Sequence, residues 1–179
     1  GFAKSTFFKR IDSSGFSFLL TLYRHILRNM VFIYALDNKL KLPIGDENAL
    51  PDEYIEDQDT NGLPFPKEDS PIKEIDGEIH IPMDEEHYKK KAQEYYNIIS
   101  QKSNLSWIDS KFFKRSLKQK LKKDCDALFE MIRLCGNWVP ATDQKLNELE
   151  KLLCNTHKDE KVVVFTQYSD TAEYIERQL

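Results

Sequence analysis

Between Phe16 and Ile33 the residues Phe16, Leu19, Leu20, Tyr23, Ile26, Leu27, Met30 and Ile33 recur at spacings of three and four. Such steps keep side chains on one side of a 3.6-residue turn, so the spacing predicts a long helix with a buried stripe. From Val31 to Leu36 the run "VFIYAL" is apolar on more than one face, and a helix of that kind needs cover on most of its sides. Asp12, Ser13 and Ser14 suit either the cap of a helix starting there or a longer helix that bends near Gly15. Pro43 and Gly45 in "LPIG" end the pattern. The rest of the chain has to wrap this element.

Other helices are legible for that purpose. One is predicted from near Asp84 to about Gln101, with Tyr88, Ala92, Tyr95, Tyr96 and Ile99 facing inward. The next runs from about Ile108 to Cys135, where Phe113, Leu117, Leu121, Cys125, Leu128 and Ile132 form one stripe. Gly136 suits the left-handed position that closes such a helix. A short helix is expected from Asp143 to Leu153. Residues 46–83 instead carry Pro51, Pro64, Pro66, Pro71 and Pro82 among acids that are costly to bury, and read as a loop-rich insertion. Within it, "DGEIHIP" reads as a short strand after a turn at Asp76-Gly77.

Charge is distributed unevenly. From Asp46 to Glu86 there are fifteen acids and two lysines; from Lys89 to Lys123 there are eleven basic residues against Glu94 and Asp109. Two readings stand: solvated surfaces that neutralise each other, or a basic face for nucleic-acid phosphate beside an acidic insertion. No stretch approaches the roughly 18 to 20 uninterrupted apolar residues that span a bilayer. Lys4, Lys9, Arg10 and Asp12 also break any secretory signal pattern. Three widely spaced cysteines, Cys125, Cys135 and Cys154, point to a reducing compartment, and the expected location is cytoplasmic.

Catalytic motifs are missing. His25, His80, His87 and His157 have no partner at metal-ligand spacing, and the six glycines are scattered singly, so no phosphate-cradling loop is present. No GxSxG elbow occurs. The acids of 46–83 read as solvating groups.

Near the end, Val162, Val163, Val164 and Phe165 form a continuous apolar run before a turn signal and an amphipathic helix. Such a run fits a parallel strand buried on both faces, which needs neighbouring strands. The stretch "DEKVVVFTQYSDTAEYIERQL", preceded by "DQKLNELEKLL", resembles the opening of the second RecA-like lobe of Swi/Snf-type helicases of superfamily 2. Those are ATP-driven translocases on double-stranded DNA. The strand from Lys161 to Phe165, with Thr166 and Gln167, is similar to the family's motif IV. "FFKRIDSSGFSFLLTL" resembles a segment of prokaryotic members that bridges the two lobes and usually has Glu where Asp12 stands. "WIDSKFFKRSLKQKLKKDCDALFEMIRLCGNWVPATDQKL" resembles their helical linker.

The expected fold is therefore mainly α: a helical linker region, a loop-rich acidic insert and a terminal βα unit of an incomplete RecA-like α/β domain. Its segments are a long bridging helix (1–45), the acidic insertion (46–83), the helical linker (84–142) and the start of the second lobe (143–179). The resemblance implies flanking RecA-like lobes, with the phosphate loop and acidic metal motif before Gly1 and the arginine-finger motif after Leu179. ATP and Mg²⁺ belong to the intact protein, no cofactor is expected in this chain, and the chain by itself is expected not to hydrolyse ATP. The double-stranded DNA partner implied by the resemblance would meet Lys111, Lys114, Arg115, Lys118, Lys122 and Lys123 on the basic helix, and Thr166 and Gln167 in the second lobe. For the basic residues, a solvated helix face is the other reading; Tyr168 is either a site residue or packing. Ser169 or Asp170 is expected to cap the last helix. The rival function is a helical protein-interaction module without nucleic acid, docking a partner through the acidic insert and anchored by Trp107, Trp138, Tyr95 and Tyr96.

Overall fold

The computed structural model describes residues 2–44, 54–55, 65–66, 73–101 and 105–179. Among them are six α-helices and three antiparallel two-stranded pairs, so the chain is mainly α. It divides into two compact units. The first comprises Gly1–Thr21, Ile72–Ile81 and Gly136–Leu179; the second comprises Leu22–Pro71 and Pro82–Cys135.

The long stripe forms as its spacing requires. Helix α1 (Phe2–Ser13) and helix α2 (Gly15–Asp37) are separated only at Ser14, and the helical ladder bridges the break. Ser14 N–H donates to the Arg10 carbonyl at 2.9 Å and Phe18 N–H to the Ser14 carbonyl at 3.0 Å. All eight stripe residues from Phe16 to Ile33 are buried, and so is every α2 residue from Phe16 to Leu27.

In the first unit, Phe16, Leu20, Ile79, Leu146 and Tyr174 make one apolar cluster, with Trp138 and Ile175 packed against it. Strands β4 (Lys73–Ile75) and β5 (Glu78–His80) form a hairpin. Asp76 and Gly77, at φ 53° and 77°, supply the two left-handed residues that a two-residue turn between twisted strands demands. Ile79 and Trp138 exchange backbone hydrogen bonds of 2.7 and 2.9 Å, which brings the Trp138 ring against Gly15. A Cβ on Gly15 would stand 2.4 Å from Trp138 Cζ3, so the first residue of α2 has to be glycine for the ring to fit. Helix α5 (Gln144–Lys151) is capped by Asp143, which accepts from Lys145 and Leu146 N–H, and passes into a π-helical turn over Leu152–Thr156.

Two expectations fail here. The strand predicted at Lys161–Phe165 is not formed, although helix α6 (Ser169–Gln178) follows as expected. A strand exists by its ladder, and no described strand lies beside this run. Val162, Val163, Val164 and Phe165 are 44, 73, 45 and 91% exposed, so no residue of the run is buried as a central strand would be. Neither Ser169 nor Asp170 caps α6: the N-cap position is Tyr168, without a side-chain cap, and Asp170 turns to a buried arginine.

In the second unit, helix α3 (Glu85–Ser100) starts at its Asp84 cap and buries Tyr88, Ala92, Tyr95, Tyr96 and Ile99, as its sequence pattern requires. Helix α4 (Ser116–Cys135) buries Leu121, Cys125, Leu128 and Ile132, while Phe113 and Leu117 are half-buried. Tyr88 packs between Tyr23 and Phe129, with ring centroids 5.1 and 5.2 Å away, and its hydroxyl donates to the Pro82 carbonyl at 2.8 Å. Gly136 closes α4 at φ 66°.

The start of α4 differs from the expected Ile108. Residues Ser106–Asp109 are strand β6, paired antiparallel with β1 (Lys41–Ile44) in the register Lys41–Asp109, Leu42–Ile108, Pro43–Trp107, Ile44–Ser106. Among the described residues the ribbon has two strands, so Pro43 can lack an N–H without breaking a second ladder. Of the acidic insertion, strands β2 (Tyr54–Ile55) and β3 (Phe65–Pro66) pair antiparallel; apart from these, β4, β5 and residues 76–77 and 81–83, it lies outside the described residues. Among the described residues no helix is long and apolar enough to cross a membrane.

Candidate nucleic-acid interface

The basic residues singled out in sequence divide among several places. Lys111, Lys114, Arg115 and Lys118, together with Lys39, line one concavity of about 560 Å³ in the second unit. Lys122 lines a different concavity with Asp37, Glu85 and Glu86, and Lys123, exposed on α4, lines neither. Thr166 and Gln167 belong to the first unit. There Thr166 Oγ1 accepts from Tyr168 N–H at 3.4 Å, and Gln167 is exposed.

The concavity is built by three local decisions. At the end of β6, Asp109 caps a short 3₁₀ turn (Ser110–Phe112), its carboxylate accepting from Lys111 N–H at 3.0 Å. Phe113 is then extended, at φ −94° and ψ 142°, which separates that turn from α4 and puts Lys114 and Arg115 in the link rather than on the helix. The third decision is the end of α2. Leu40 N–H donates to the Ala35 carbonyl at 2.8 Å and Lys39 N–H to the Leu36 carbonyl at 3.3 Å, the paired bonds of a Schellman closure. Lys39 occupies its left-handed position at φ 54°, where glycine is usual. Tyr96 secures the ribbon below, its hydroxyl donating to the Lys41 carbonyl at 2.7 Å and its ring meeting Trp107 edge-on.

Five cations and one carboxylate therefore line this surface. Lys111 pairs with Asp109 at 3.3 Å, and Lys118 with Asp37. Among the described residues Lys39, Lys114 and Arg115 have no ion-pair partner. The hydrogen bond from Lys111 N–H, helped by its ammonium, holds the Asp109 carboxyl below its ordinary range, so Asp109 stays charged at neutral pH and competes for Lys111. All these pairs are open to water. They contribute little stability and exchange readily for another anion.

A second polar cluster had no signal in sequence. Arg10 Nη1 donates to Asp170 Oδ2 at 3.0 Å, with the two side chains 4 and 2% exposed. The Arg10 guanidinium also sits 3.9 Å from the Tyr168 ring centroid, which gives Tyr168 a packing role. Beside this pair, Thr171 Oγ1 lies 2.9 Å from Ser13 Oγ and 2.8 Å from Ser17 Oγ. Trp138 Nε1 donates to the Tyr174 hydroxyl at 3.0 Å, which donates in turn to Asp143 at 3.1 Å. Arg10, Ser13 and Ser17 thus tie α6 to α1 and the start of α2 across 160, 158 and 154 positions, and Tyr174 ties it to Trp138 and the cap of α5.

The four aromatic anchors considered for a protein partner are engaged within the chain. Tyr95 and Tyr96 are buried, Trp107 packs on Tyr96, and Trp138 is held by Tyr174. Among the described residues no three His, Cys, Asp or Glu side chains gather as a metal set. Compared with protein families, curated proteins and solved structures, the chain matches none.

Proposed function

We propose that this chain is the inter-lobe helical region of a Swi/Snf-type, ATP-dependent DNA translocase, with the first βα unit of its second RecA-like lobe, working in a prokaryotic cytoplasm. Sequence resemblance is what supports the family. The observation that carries DNA contact is the convergence of Lys39, Lys111, Lys114, Arg115 and Lys118 on one concavity. Several cations on one surface neutralise neighbouring phosphates and release counterions, the largest sequence-independent contribution to DNA affinity. The exposed Val162–Phe165 run supports the second part, because an apolar run with no buried residue suits a strand completed by neighbours of a flanking lobe.

ATP and Mg²⁺ would act on those lobes. The residues here do not fit that group, having singly scattered glycines and no metal set among the described residues. The chain's own part is to hold the DNA backbone and to transmit closure between lobes through stiff helices. The rival, a protein-docking module, is less well supported, because its aromatic anchors are engaged in packing.

Binding of a labelled duplex across a salt series tests the reading. Ala at Lys114, Arg115 and Lys118 together is expected to reduce the slope of log affinity against log salt by about 3. Asp109→Asn keeps the turn cap but removes the competing carboxylate, and is expected to tighten binding by about threefold. Lys123→Ala, outside the concavity, is expected to change the slope least. No duplex binding at low salt rejects duplex contact by this chain.

A further inference from the structure

Phe112 lies in the chain between Lys111 and Phe113, both of which line the cationic concavity, and little of its ring is packed. It is 74% exposed, at the end of the 3₁₀ turn that also carries Lys111. Lys111 Nζ lies 5.2 Å from its ring centroid, so a cation attends the π-system from within the same turn. The next residue, Phe113, lines the concavity with Lys114 and Arg115. A large exposed aromatic flanked in sequence by Lys111, Lys114 and Arg115 combines the two kinds of group that bind single-stranded nucleic acid: cations for the phosphates and a ring face for a base. A paired base inside a duplex offers no free face to such a ring.

We propose that Phe112 is a stacking platform for one unpaired base of a nucleic-acid strand whose phosphates lie in the Lys39–Lys118 concavity. This rests on the phosphate-binding reading of that concavity and adds to its duplex contact a second contact, with one base of an unpaired strand. Lys114 and Arg115, which have no ion-pair partner among the described residues, hold the phosphates beside the stacked base. Lys111 stays between its pair with Asp109 and the ring.

The test measures anisotropy with a labelled single strand of about 15 nucleotides and with the matching duplex, at one low salt concentration. The proteins compared are the unchanged chain, Phe112→Leu, Phe112→Tyr and the Lys114→Ala/Arg115→Ala pair. A 2-aminopurine base in the single strand reports stacking through quenching. Phe112→Leu is expected to weaken single-strand binding about tenfold and abolish the quench, while duplex binding changes less than about twofold. Phe112→Tyr, which keeps a ring, is expected to retain both. Single-strand affinity unchanged in Phe112→Leu, with both ligands weakened in the Lys114/Arg115 variant, overturns the platform and leaves the phosphate site standing. Equal loss on single strand and duplex in Phe112→Leu gives Phe112 a structural role and overturns the platform too. Absence of binding to either ligand by the unchanged chain overturns the phosphate-binding reading and this inference with it.

Discussion

Arg10 pairs with a carboxylate in the first unit and Lys118 with one in the second, and the two pairs do different work. Arg10–Asp170 is sealed at 4 and 2% exposure, whereas Lys118–Asp37 is open at 37 and 45%. Removing one partner of the sealed pair leaves a charge that water cannot reach, so the pair is a commitment of the fold. The open pair costs little to form or to break, which leaves Lys118 able to exchange Asp37 for a phosphate. The lesson is that burial, rather than the presence of an ion pair, separates a structural cation from one available to a ligand.

The largest expected effect would break this contrast most directly. Arg10→Met should destabilise the chain by about 3–5 kcal/mol in urea unfolding. Lys118→Ala, the exposed counterpart, is expected to cost no more than about 1 kcal/mol. A loss below that figure for Arg10→Met would mean that its pair is as well solvated as the open one. Trp138 emission in a Trp107→Phe background follows the first unit, where Arg10 lies.

The second prediction concerns close approach in the same unit. Helix propensity favours Ala over Gly by about 1 kcal/mol, yet Gly15→Ala is expected to destabilise by about 1–3 kcal/mol because the new methyl would press on the Trp138 ring. A gain in thermal midpoint would show that the ring moves aside freely.

The smallest expected effect sharpens the comparison in the second unit. Lys39→Gly is expected to stabilise by about 0.5–1 kcal/mol, because glycine adopts the left-handed end of α2 without strain. The same change removes one cation from the concavity and should lower the salt slope of DNA binding by about 1. Stability and binding would then move in opposite directions at one residue, the mark of a position kept for its charge.

Periodicity made the helices legible. The stripe of α2, the inner face of α3, and the buried positions Leu121, Cys125, Leu128 and Ile132 of α4 follow from spacing, because a buried face repeats with the helical turn. The Asp76-Gly77 turn was legible because few residue pairs tolerate two left-handed conformations. The ribbon between Lys41–Ile44 and Ser106–Asp109 was not: each strand is four residues long, one holds a proline, and their pairing spans more than sixty positions. For the same reason Lys114 and Arg115 were placed on a helix that starts only at Ser116. The basic character of the surface was legible, but the inclusion of Lys39 and the separation of Lys122 were not.

By itself the sequence determined which faces of its helices are buried and where the turns fall, since both depend on neighbours within a few residues. Tertiary structure decided the fate of the charges. Arg10, one cation among several near the start of the chain, became a buried anchor because Asp170 was brought to it across 160 positions. Lys114 and Arg115 stayed open to solvent beside Lys39 because two chain ends, of β6 and of α2, meet there. Solvation of a charge depends on everything packed around it, and that information is nonlocal in the chain.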